Sequence, residues 1–201
     1  MNITTVVTAA LGCTIVAASN LSAQTAESAA APVKQPRWEL VVPSGSMIPT
    51  GAQRDAVKRG NMNAVQITYV GTPSLGIVST FGWARSKDVA TAGNPKLDVF
   101  TYDVGGELRA PRWIGSETVS FSPFAGLGAG GRSYNYRKLD VDATHNLAGY
   151  ASAGGELGMH RLRLRVEARD YVAGFKPLVG TGASRTGNDI VLMVGLRLVS
   201  R

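Results

Sequence analysis

Between Arg161 and Arg169 the chain reads Arg-Leu-Arg-Leu-Arg-Val-Glu-Ala-Arg, a charged residue alternating with an apolar one at every step. Successive side chains of a β-strand point to opposite faces, so this segment as a strand has one apolar and one charged face. As a helix it would scatter both kinds around its circumference. A soluble sheet alternates in the same way, with its apolar side in the core. The segment alone does not say which side faces out. The rest of the chain favours the less common arrangement, with apolar side chains toward lipid and charges toward the middle of a small closed barrel.

Eight strand-like segments follow an N-terminal leader. They lie near Arg37 to Ser44, Met62 to Val70, Leu75 to Arg85, Leu97 to Arg109, Glu117 to Gly130, Asn146 to Leu157, His160 to Val172 and Asp189 to Val199. One face is aromatic and branched aliphatic, as in Val65, Ile67 and Tyr69, in Phe81 and Trp83, and in Ile190, Leu192, Val194, Leu196 and Leu198. The other is mostly Gly, Ala, Ser and Thr with a few full charges. Those side chains are too small for a solvated exterior and suit the cramped lumen of an eight-stranded barrel. A soluble lipocalin-like carrier, with the bulky apolar set inside, is the alternative from another class.

No segment is apolar for the 18 or so residues that cross a bilayer as a helix, so any insertion is by strands. Residues 1–23 read as an export signal: Val6 to Ala18 is apolar, and Ser22-Ala23 precedes Gln24. Met1 to Thr5 lacks the usual Lys or Arg, and the sole cysteine, Cys13, lies in this segment. Residues 24–36, with Pro32 and Pro36, read as a flexible leader, and residues 37–201 as the barrel. The net charge of +7 is dispersed along the chain, which argues against a nucleic-acid-binding stripe and suits acidic, phosphate-bearing lipid.

The connections alternate in length. Ser46 to Asn61, Ser86 to Lys96, Gly131 to His145 and Ala173 to Asn188 are long and polar; Gly71 to Ser74 and Gly158-Met159 are tight. Pairing Leu157 with His160 sets Glu156 opposite Arg161, Ser152 opposite Arg165 and Tyr150 opposite Glu167, all on the polar face. Trp38, Tyr69 and Trp113 fall at the short-turn end and Trp83 and Tyr171 at the long-loop end, as two interfacial aromatic levels would.

With these strands, and with Ser122-Pro123-Phe124-Ala125-Gly126-Leu127-Gly128-Ala129-Gly130, the chain from Arg37 to Arg201 resembles the small eight-stranded outer-membrane β-barrels, the OmpA/OmpX-like porin superfold. The resemblance implies an all-β, antiparallel, up-and-down transmembrane barrel with short periplasmic turns and long extracellular loops. It also implies a monomer in the bacterial outer membrane with both termini in the periplasm. Two features depart from it. The family usually ends on an aromatic residue, whereas this chain ends Leu198-Val199-Ser200-Arg201; and Pro123 falls inside a strand, which suggests a bulge.

Folding the polar face inward gathers Asp103, Glu107, Arg109, Glu156, Arg161, Arg163, Arg165, Glu167, Arg169 and Arg197. Buried charges must be paired, so the expectation is an ion-pair plug. Because arginine outnumbers the acids in that set, a narrow anion-preferring pore is the alternative. Only two histidines exist, His145 and His160, and neither is followed by the serine of a deacylase-like pair. No catalytic group, cofactor or metal-ligand spacing is expected. The long loops carry Arg54, Lys58, Arg59, Arg85, Lys87, Lys96, Arg132, Arg137, Lys138, Lys176 and Arg185 against Asp55, Asp88, Asp140, Asp142 and Asp189. Such a rim suits lipopolysaccharide phosphates or an extracellular ligand. The expected role is structural or adhesive.

Overall fold

The computed structural model describes residues 37–110, 114–115, 119–159, 162–175 and 185–199. The predicted signal and leader, Trp113, His160 and Arg161 lie outside them. Within them the chain forms strands β1 (Arg37–Thr50), β2 (Gly60–Thr72), β3 (Leu75–Lys87), β4 (Lys96–Arg109), β5 (Ile114–Gly115), β6 (Ser120–Tyr136), β7 (Thr144–Met159), β8 (Leu162–Phe175) and β9 (Arg185–Val199). A 3-10 helix, Gly51–Asp55, follows β1. All pairings are antiparallel, and β1 to β4 and β6 to β9 close into an eight-stranded barrel, with the two-residue β5 an annex to β6.

The stagger of the barrel can be followed around its wall. Arg163 pairs with Arg197, then Val41, Gln66, Thr80, Asp103, Gly130 and Ala148, and the path returns to β8 at Ala173, ten residues along. With strands about 4.8 Å apart and a rise of about 3.3 Å per residue, that stagger tilts the strands by about 40° and sets the backbone about 8 Å from the axis. Such an interior holds side chains and little else.

Closure gives each of the eight strands a hydrogen-bonded neighbour on both sides, which is what hydrocarbon demands. The side chains then sort by parity as the sequence indicates. Leu40, Val42, Ile67, Ile77, Phe81, Val104, Leu127, Val166, Val194 and Leu196 are exposed on the outside, while Glu39, Gln66, Thr80, Asp103, Glu107, Arg165 and Arg197 are buried inside. The soluble-carrier alternative fails here, because it needs the opposite sorting.

Three expectations are corrected. The β7–β8 register pairs Glu156 with Arg165, Ser152 with Arg169 and Tyr150 with Tyr171, a slip of four residues from the predicted pairing. An even slip leaves every side chain on its face, so a parity argument could not detect it. The strands also run further into the predicted loops: β1 reaches Thr50, β6 reaches Tyr136 and β7 begins at Thr144. Finally, the β6–β7 register passes through Pro123 unbroken, with Pro123 opposite Gly155. The Pro123 carbonyl accepts from Ala110 N–H just where β4 ends, so its missing N–H points to the side where pairing stops.

The interior has two levels. Toward the turn end it is charged. Toward the loop end it holds Met47, Met62, Leu97, Val99, Val191 and Met193 with Tyr134, Tyr150 and Tyr171, a small apolar core that the expectation of a small, polar lumen did not include. The 3-10 helix places Gln53 over this core, and Ala56 and Val57 are buried beneath the same connection. Asp88 holds it closed: its carboxylate accepts from Ala90 N–H, Thr91 N–H and Tyr136 Oη–H, and Val89 N–H donates to Ala56.

Val194 lies midway along the exposed apolar face of β9. Val194→Arg should lose about 2–4 kcal/mol of stability in a bilayer, as a cation at mid-membrane does. Urea titration of the protein folded into vesicles measures this; an unchanged midpoint would mean that this face does not meet lipid.

Candidate functional site

The inward-facing charges meet across the lumen rather than along one strand. Arg165 on β8 is 1% exposed. Its guanidinium contacts Glu107 on β4, Glu156 on β7 at 2.8 Å and Glu167 on its own strand at 2.9 Å. It also lies over the Phe124 ring, with Cζ 3.6 Å from the centroid. Arg109 on β4 contacts its neighbour Glu107 and reaches Glu39 on β1 at 2.6 Å. Arg197 on β9 sits 2.6 Å from Glu156 and 3.0 Å from Glu39. Its N–H groups are out of line for hydrogen bonds, so it contributes charge compensation without directed bonding. Gln66 on β2 donates to Glu167 at 3.1 Å. At the turn-end mouth, half-buried Arg163 approaches Glu156 at 3.7 Å and Arg37 approaches Glu39 at 2.9 Å.

Further up, Arg169 bonds Glu167 and reaches Asp103 on β4 at 3.0 Å. The Tyr171 hydroxyl donates to the same Asp103 at 2.7 Å and accepts from Arg169 at 3.1 Å. Tyr150 lies beneath the Arg169 guanidinium, 4.5 Å from centroid to Cζ. Space for that ring comes from the facing glycines: a Cβ on Gly105 would sit 2.3 Å from the Tyr150 hydroxyl, and one on Gly128 2.4 Å from its ring. Above this, Arg132 on β6 pairs with Asp189 on β9 and covers the Tyr171 ring at 4.7 Å.

Of the residues expected in the network, Arg161 lies outside the described set and Arg163 stands at the rim. The other eight, Asp103, Glu107, Arg109, Glu156, Arg165, Glu167, Arg169 and Arg197, are gathered inside. Glu39 was missed although its parity, opposite to Trp38 and Leu40, places it inward. Arg132 and Asp189 were read as loop charges; both are buried, because their strands extend further than the sequence suggested. Tyr171 is corrected as well. It is 1% exposed and faces the lumen, as its two-residue spacing from Arg169 requires.

The outward aromatics form two groups. Trp38 and Tyr69 are cross-strand partners at the turn end, with ring centroids 5.1 Å apart. Trp83 stacks on Phe100 at 6.3 Å near the loop end. His145 lies opposite Ser133 at the outer end of the β6–β7 pair, and no hydrogen bond joins them. Among the described residues no group of His, Cys, Asp and Glu is arranged to hold a metal ion.

No protein-family model matches this sequence, and no curated protein matches it. Solved structures do. The chain is similar to Neisserial surface protein A, at 10% identity, a TM-score of 0.58 and coverage of 80% of this chain and 96% of that one. It also matches the outer membrane protein AlkL (14% identity, TM-score 0.47, 90% and 97% covered) and the outer membrane enzyme PagL (10% identity, TM-score 0.40, 80% and 98% covered). The first match carries the structural argument. This is the fold of the small outer-membrane β-barrels. At such identities the likeness concerns the fold alone; the cross-lumen ion network is read from the chain's own residues.

Removing Glu107 leaves Arg165 and Arg109 each short of a carboxylate in a site closed to water. Glu107→Ala should therefore lose about 3–5 kcal/mol, whereas Arg37→Ala, at the half-exposed rim, should lose less than about 1 kcal/mol. Unfolding midpoints of the two variants decide the matter; equal losses would remove the network from the account of stability.

Proposed function

We propose that the chain is an outer-membrane barrel with a structural and surface-interaction role, its lumen closed by the ion network and its loop end the working surface. The observation that carries this reading is Arg165. It is nearly inaccessible to water and is held by carboxylates from β4, β7 and β8, so it bridges the lumen at its charged level. Arg109 with Glu39 and Arg169 with Asp103 add further crossings.

The pore reading is less well supported. The buried cations Arg109, Arg132, Arg165, Arg169 and Arg197 are each met by carboxylates among Glu39, Asp103, Glu107, Glu156, Glu167 and Asp189, and the rim cations Arg37 and Arg163 lie against Glu39 and Glu156, so none of these arginines stands free to select anions. An enzymatic reading is less well supported too, since Ser133 and His145 are neighbours without the hydrogen bond that would activate a nucleophile. An adhesive role would use the loop end, and lipopolysaccharide is the partner that its basic residues suit.

Membrane fractionation with electrophoresis before and after boiling tests the location. An outer-membrane band whose mobility changes on boiling supports the reading, and a soluble band with fixed mobility overturns it. In planar bilayers the purified barrel should show no unitary conductance steps; discrete steps would replace the closed lumen with the pore.

A further inference from the structure

On the outer wall, just above the Trp83–Phe100 stack, the described residues form a cleft of about 380 Å³ lined by Lys58, Arg59, Arg85, Lys87, Lys96 and Arg137, with Asp98 as the only acid. Asp98 is already taken: Arg137 holds both its oxygens, each at 2.6 Å. None of the other five cations forms an ion pair with a described residue, and the Arg59 guanidinium donates to the Ser46 hydroxyl. The cations sit on fixed backbone. Lys58 N–H donates to the Lys87 carbonyl at 2.9 Å, the Ser86 hydroxyl donates back to the Lys58 carbonyl, and Val57 bridges Asp88. Cations collected on a tied backbone, without carboxylates to neutralise them, form a preorganised anion site.

The height of the cleft selects the anion. Trp83 faces outward at the loop end of the apolar wall, where interfacial aromatics mark the headgroup level. Arg85 is two residues further along the same face of β3 and lies over the Trp83 ring at 4.0 Å. Arg137 also approaches that ring, at 6.0 Å. Arg85 and Lys87 share the outward parity of Trp83, which sets this side of the cleft on the outer wall above the apolar face.

We infer that this cleft binds the phosphates of a phosphorylated glycolipid of the outer leaflet, with Arg59, Arg85 and Lys87 as its principal ligands and Trp83 beneath them against the acyl chains. The inference rests on the outer-membrane reading above. It goes further by naming one face of the barrel, above β2, β3 and β4, as a lipid site.

The test uses the full chain folded into detergent-solubilised lipid, with heat-modifiable mobility verifying the barrel. Binding of bisphosphorylated lipid A, of its dephosphorylated form and of inorganic tripolyphosphate is measured by native mass spectrometry. The intact protein should retain lipid A and lose it with added salt. The triple variant Arg59→Gln, Arg85→Gln, Lys87→Gln should keep its heat-modifiable fold and bind lipid A about 100-fold more weakly, at roughly fivefold per cation. Arg54→Gln, a cation removed from the 3-10 helix outside the cleft, should leave binding unchanged. Equal binding of dephosphorylated lipid, tripolyphosphate bound as tightly as lipid A, or a fivefold loss with Arg54→Gln would each overturn the site while leaving the outer-membrane reading intact. A chain that never acquires heat-modifiable mobility overturns both.

Discussion

A guanidinium held out of water has to be met by carboxylates, and in this barrel Arg165 is met by Glu107, Glu156 and Glu167. Much of the architecture follows from that requirement. Three carboxylates from different strands can converge on one arginine only if the wall is closed and narrow, and a ten-residue stagger of eight strands provides such a wall. Closure in turn removes the unpaired strand edges that lipid would not tolerate. An arginine of this kind is destabilising until its partners are in place, and the observed register is one that brings those partners to it.

Packing around the network explains why the second face of the sheet is small. Inward glycines on β4 and β6 leave room for Tyr150, whose ring supports Arg169; Phe124 supports Arg165 in the same way. The inward face of β6 is thus small at Gly128, where Tyr150 needs room, and bulky at Phe124, where Arg165 needs support. The loop end is built by a different rule. There the interior is a small apolar core of methionines, valines and tyrosines, covered by the 3-10 helix and fastened through Asp88 to Tyr136. Ion pairs gather in the interior at the turn end, and apolar side chains gather at the loop end.

Strand identity and face were legible in the sequence because lipid and lumen demand opposite chemistries, and period two records that contrast. Arg165, Glu167 and Arg169 announce their side, and so do Leu192, Val194 and Leu196. Less of the register was legible. Parity is blind to even slips, so the pairing of Glu156 with Arg165 had to come from three dimensions. Arg132 and Asp189 looked like loop charges because a buried arginine and a solvated one are the same letter; only the extension of β6 and β9 separates them. Tyr171 is a different case. Its parity with Arg169 was plain, and the expectation of interfacial aromatics overrode it. The basic residues near Arg85 were legible as a rim, but not as a cleft, since their convergence depends on the β2–β3 and β3–β4 pairing.

Which side of β8 faces lipid decides the assignment of both faces of the wall. The chain has one cysteine, Cys13, which precedes β1 in the sequence, so replacing it with serine gives a clean background for single-cysteine labelling from position 163 to position 170. A fluorophore attached at each position in turn, in vesicles carrying a bilayer-buried quencher, reports contact with acyl chains directly. Strong quenching at 164, 166 and 168, with little or none at 165, 167 and 169, is the predicted pattern. Quenching at the odd positions, or at neither set, would contradict it and with it the inward assignment of the charges.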